Sequence, residues 1–172
     1  MLRRLLDVRP EERRPTAIAF LVLFGILAAH TILETARDAL FLARLPPSQL
    51  PWMYLAMAAI AVGLSQWTAR RLSGPRALAT LLALCAAGTL TFWAIGSSLG
   101  PWALRALYVW TGLVSTLAAV QFWLVVSEIY TITQAKRVYA VIGLGSLLGA
   151  VAGGGLARIV SSRVDEIGRA HV

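Results

Sequence analysis

The sequence predicts an all-α integral membrane protein with about five transmembrane helices, and three observations predict it. Hydrophobic residues make up 58% of the 172-residue chain and charged ones only 14%, with a mean hydropathy of +0.72, beyond the range of soluble domains. The apolar residues fall into runs of about 18 or more, long enough to cross a hydrocarbon core of about 30 Å as helices. The basic residues gather between those runs, as cytoplasmic anchors do. A net charge of +8, from 16 basic and 8 acidic residues, could suggest nucleic acid in a soluble chain. Here no basic patch carries interleaved aromatics on a soluble module, so the partner that the composition demands is the lipid bilayer, not nucleic acid.

Residues 1–15, MLRRLLDVRPEERRP, mix five arginines with Asp7, Glu11 and Glu12, unlike a transit peptide or a signal-peptide n-region. They read as a cytoplasmic tail leading into an uncleaved span. Span 1, about 16–42, would be roughly 40 Å long, enough to cross the membrane and project beyond it. Pro46 and Pro47 close it with a short outer loop, because both cannot continue a helix. Span 2, about 51–68, ends at Arg70, Arg71, Gly74, Pro75 and Arg76, a turn signal set among cytoplasmic arginines. Span 3 covers about 77–95, an uncharged outer loop follows, and span 4 covers about 102–129. Residues 130–137 are expected to form an inner loop ending in Lys136 and Arg137, before a glycine-rich span 5 at about 138–160. With the amino terminus inside, the inner segments collect Arg70, Arg71, Arg76, Lys136 and Arg137 as loop charges, and the outer ones hold little beyond Arg44 and Arg105. Trp52, Trp67 and Trp102 fall near the expected interfaces.

The carboxyl end changes character. From Asp165 the chain reads DEIGRAHV, and residues 167–172 resemble a translated sequencing-library adapter. Residues 163–172 are therefore expected to be a truncated end, with 167–172 foreign, and the chain an amino-terminal fragment of a longer protein.

The costliest residues lie in the outer half of span 1. Glu34, Arg37 and Asp38 would each cost roughly 2.5–3.5 kcal/mol facing lipid near the bilayer centre. His30, Glu34, Arg37, Asp38 and Phe41 recur at spacings of three and four, so they form one polar stripe that should face protein or water. Glu34 can pair with Arg37 within the helix. The stripe is either a structural ion pair at a snorkelling helix end or a substrate or proton pathway lining a cavity. Span 4 adds Gln121 and Glu128, seven apart on one face. Glu128 lies near the cytoplasmic end, where pairing with Lys136 or Arg137 competes with contact to a transported molecule.

In span 5, Gly145, Gly149 and Gly153 form two overlapping GxxxG steps, which allow close helix packing in lipid. The neighbouring Gly143 and Gly145 have neither the spacing nor the preceding strand of a dinucleotide loop. The single Cys85 excludes a disulfide framework and a cysteine-based metal site. With no HExxH or GxSxG motif and no nucleophile paired with a base, the sequence predicts no enzyme, no metal and no cofactor.

Three stretches, ETARDALFLARLP (34–46), YVWTGL with QFWLVVSEIYT (108–131) and QAKRVYAVIGLGSLLGAVAGG (134–154), make the chain resemble the amino-terminal part of the ATP/ADP exchange translocase family, which is major-facilitator-like. The resemblance runs to about Ser162. It implies two six-helix bundles rocking about a central site, with this chain supplying about five helices of the first bundle. The partners so implied are the carboxyl-terminal helices of the same chain and a nucleotide or other anionic metabolite, in a bacterial inner membrane. The matching positions are Arg37 and Asp38, the run Ala135 to Arg137, and the glycine steps. Glu34 stands where nucleotide exchangers are expected to carry a basic residue, and an unpaired carboxylate there would repel an anionic nucleotide. The substrate-pathway candidates are thus His30, Glu34, Arg37, Asp38, Gln121 and Glu128. The alternative is a membrane scaffold or regulator that keeps a transporter-like fold and moves nothing.

Overall fold

The computed structural model describes residues 8–71, 74–95 and 100–169, with side chains for 8–66, 74–95 and 100–162. The side chains of Trp67, Arg70 and Arg71 and the placement of residues 170–172 lie outside that description. The described residues are helical, with five helices long and apolar enough to cross a membrane: α1 (Pro10–Arg44), α2 (Leu50–Arg71), α3 (Gly74–Ile95), α4 (Pro101–Ile129) and α5 (Ile132–Arg169), with a 3-10 turn at Pro47–Gln49. The chain divides into two compact units, Met1–Ala36 with Lys136–Val172, and Arg37–Ala135. The boundary falls within α1.

Local chemistry sets the helix ends. Pro10 takes the first position of α1, where its missing N–H costs nothing, and Glu12 reaches back to accept the Arg9 backbone N–H at 3.2 Å. At the start of α5, the Gln134 side chain accepts the Thr131 backbone N–H at 3.0 Å and the Thr131 hydroxyl at 2.9 Å. The backbone contact is the reach-back half of a T-x-x-Q capping box. The helix therefore begins at Ile132, and the expected inner loop of residues 130–137 shrinks to the break at Tyr130 and Thr131. Lys136 and Arg137 stand on the first turns of α5, not in a loop. Arg76 likewise sits in the first turn of α3, behind Gly74, whose φ of +82° suits only glycine at low cost. Within the helices, Thr31, Thr80, Thr89, Thr91 and Thr116 donate their hydroxyls to the carbonyl four residues back. Each polar group is thereby satisfied inside its own helix.

In the first unit α1 and α5 run parallel. Gly145 lies against the backbone of Phe20, Gly149 against that of Phe24 and Gly153 against that of Ala28. Each step of four along one helix is a step of four along the other. A Cβ on Gly145 would stand 2.6 Å from the Phe20 carbonyl oxygen, and one on Gly153 2.5 Å from that of Ala28, so only glycine permits this approach. The same register ends at Glu12 and Arg137, paired at 2.7 Å.

In the second unit α4 is central, with α2 and α3 both packed on it. Its core is Phe41, Leu45, Leu104 and Tyr108, backed by Leu50, Met53 and Met57. The Trp110 indole lies over Gly88 of α3, where any side chain would displace it. Large apolar side chains of α2 and α3, among them Leu55, Ile60, Leu84, Leu90 and Trp93, are exposed, the expected state of surfaces solvated by lipid. Trp52 and Trp102 are exposed at 68% and 80%.

Candidate functional site

Arg37 is the most deeply buried of the span 1 charges, with 4% of its side chain exposed against 39% for Asp38. Its Nε donates to Asp38 Oδ1 at 3.0 Å. Its guanidinium lies over the ring of Tyr108, 4.1 Å from the centroid, a cation–π contact that gains strength where water is excluded. Tyr108 is fully buried. Phe41 packs on it at a centroid distance of 4.9 Å, and Tyr54 meets it edge-on at 6.0 Å. Gly112, one turn beyond Tyr108, leaves room for Met57 and for Arg37, whose Nη1 would be 3.2 Å from a Cβ there.

Two registers build this arrangement. Arg37 beside Gly112 and Phe41 over Tyr108 set the end of α1 antiparallel to α4. Tyr54 beside Tyr108 and Met57 beside Gly112 set α2 parallel to α4. The result is a cation held in an aromatic wall, with one more exposed carboxylate at its edge. The Tyr108 hydroxyl is buried, with Tyr54 beside its ring. A buried cation is costly without a counter-charge; Asp38 supplies it, and the face of the Tyr108 ring adds its quadrupole.

His30 Nε2 lies 3.5 Å from Glu34 Oε2, with both side chains partly exposed. Gln121 is buried at 4%, but 13 residues beyond Tyr108 it stands about 20 Å further along α4. Glu128 is exposed, about 30 Å along the same helix. Arg137 pairs with Glu12, which is 3% exposed.

Sequence reasoning passed over Tyr54, Tyr108, Gly112 and Glu12. Tyr108 and Gly112 are four apart in YVWTGL, one helical face with a large ring beside a gap, and that spacing was the available signal. Glu12 carried none, because its burial depends on a partner 125 residues away.

No curated protein and no solved structure matches the chain. A family model does, over residues 15–171, and it covers the helices that carry the buried arginine and the glycine seam. By that match the chain is an integral membrane protein of the TLC ATP/ADP transporter family.

Proposed function

We propose that this chain is part of a secondary transporter that exchanges ATP, ADP or a similar anionic metabolite across a membrane by alternating access, with α1 and α4 lining the path. Its fold on this reading is major-facilitator-like, two six-helix bundles, with the amino terminus cytoplasmic in a bacterial inner membrane and the remaining helices supplied by the same protein. The observation that carries the reading is Arg37, a buried cation in a membrane-spanning helix stacked on Tyr108, in a family of nucleotide transporters. Structural stability alone is a poor reason to keep such a group, since a buried ion pair is often no better than apolar packing. Transport gives it a use, because a planar guanidinium matches phosphate oxygens edge to edge.

Glu34 has a partner in His30, whose Nε2 stands 3.5 Å from its carboxylate. The roles assigned are Arg37 as anion contact and Asp38 as its counter-ion.

The test is exchange by the full protein in liposomes. Vesicles preloaded with unlabelled ADP should take up labelled ADP or ATP much faster than empty vesicles. Equal uptake with and without internal nucleotide would remove the exchange mechanism, and no uptake of either nucleotide would remove the substrate.

A further inference from the structure

The Arg37 guanidinium already has an anion on its edge. We propose that Asp38 is an intramolecular competitor for the substrate: its carboxylate holds Arg37 in the empty site and gives way when a substrate phosphate arrives. This rests on Arg37 being the anion contact, and the test below separates the two.

The enclosure of Arg37 argues for it. One face of the guanidinium is covered by the Tyr108 ring at 4.1 Å, and Nη1 lies beside Gly112. The Nε edge is held by Asp38 Oδ1 at 3.0 Å. Of the two partners Asp38 is the exposed one, 39% against 4%, so a ligand arriving from the exposed side of the pair meets the Asp38 edge. A phosphate makes the same edge-on, charge-assisted contact with a guanidinium as a carboxylate does. The two anions therefore seek the same donors, and in a low-dielectric site they repel each other strongly. Tyr108, walled in by Phe41 and Tyr54, fixes the guanidinium plane, so the exchange of anions takes place at the Asp38 edge. A site closed on its own carboxylate for most of the time binds ligand with an apparent affinity reduced by the fraction that is open.

The experiment is equilibrium binding of labelled ADP to the full-length protein in detergent at fixed ionic strength, for the wild type, Asp38→Asn, Arg37→Gln and the double variant. Asp38→Asn should bind ADP about tenfold more tightly, the equivalent of about 1.4 kcal/mol. The gain should vanish in the Arg37→Gln background, which should itself bind poorly. Asp38→Ser, which also lacks the charge, carries the same expectation if the asparagine variant does not elute as folded protein. Asp38→Glu, which keeps the charge, should show no comparable gain. If Arg37→Gln loses ADP while Asp38→Asn and Asp38→Ser bind no better than the wild type, the competition is overturned and the anion contact stands. Wild-type binding by Arg37→Gln overturns both.

Discussion

Adding a single methyl group at Gly149 should loosen the α1–α5 seam. A Cβ there would overlap the carbonyl oxygen of Phe24 and approach its Cα at 3.0 Å. At the neighbouring contact, moving from 2.6 Å to the 3.4 Å of ordinary packing would take about 0.8 Å of withdrawal, and Gly149 needs more. The obstacle is helix backbone, which cannot swing aside as a side chain can. Overpacking of this kind costs about 1–3 kcal/mol. Replacing glycine by alanine also favours the helix by up to about 1 kcal/mol, so a control must cancel that gain. Gly155→Ala provides it, because Gly155 lies on the same helix and a Cβ there would meet nothing within 4 Å. Thermal unfolding of the full protein in detergent should show Gly149→Ala melting several degrees below Gly155→Ala, at about 2–4 °C per kcal/mol. Equal melting temperatures would refute the idea that backbone contact holds α5 on α1.

Three further outcomes follow from the same geometry. Glu12→Ala should destabilise the protein by about 1–3 kcal/mol, below the full cost of breaking a buried pair because Arg137 keeps 27% of its side chain exposed; a double-mutant cycle with Arg137→Ala should show coupling, and additive losses would deny the pair. Gly112→Leu should displace Arg37 and Met57 and lower transport at least tenfold with little loss of expression, since the side chains it meets are flexible ends; normal transport would show that the gap at Gly112 is not needed. Tyr108→Leu should impair transport more than Tyr108→Phe, which keeps the ring under Arg37, and equal losses would place the importance of Tyr108 in its hydroxyl instead.

Helices of this length in lipid announce themselves, because an apolar run that must satisfy its own backbone has little choice but to be helical. That is why the five runs were legible, along with the charges of Glu34, Arg37 and Asp38, whose cost stood out against an apolar background. The ends were less legible. The polar residues before span 1 look like a tail in the sequence, yet α1 starts at Pro10 and buries Glu12, because Arg137 of α5 lies in register with it. Thr131 and Gln134 did carry a local signal, a capping box, which turns an expected loop into the first turns of a helix. The aromatic wall was hidden for a different reason. Tyr54 and Tyr108 look like ordinary residues of apolar spans until the registers of α1, α2 and α4 bring them beside one guanidinium. The glycine steps were readable as a packing face, but not their partner, which is a parallel helix more than 100 residues away in the chain.

The most direct test is labelled ADP exchange by vesicles carrying the full protein, with Arg37 intact and with Arg37→Ala. Removing the guanidinium should abolish exchange, at least a hundredfold in initial rate, while the protein still inserts and elutes as the wild type does. Exchange at the wild-type rate by Arg37→Ala would contradict the assignment of Arg37 as the anion contact.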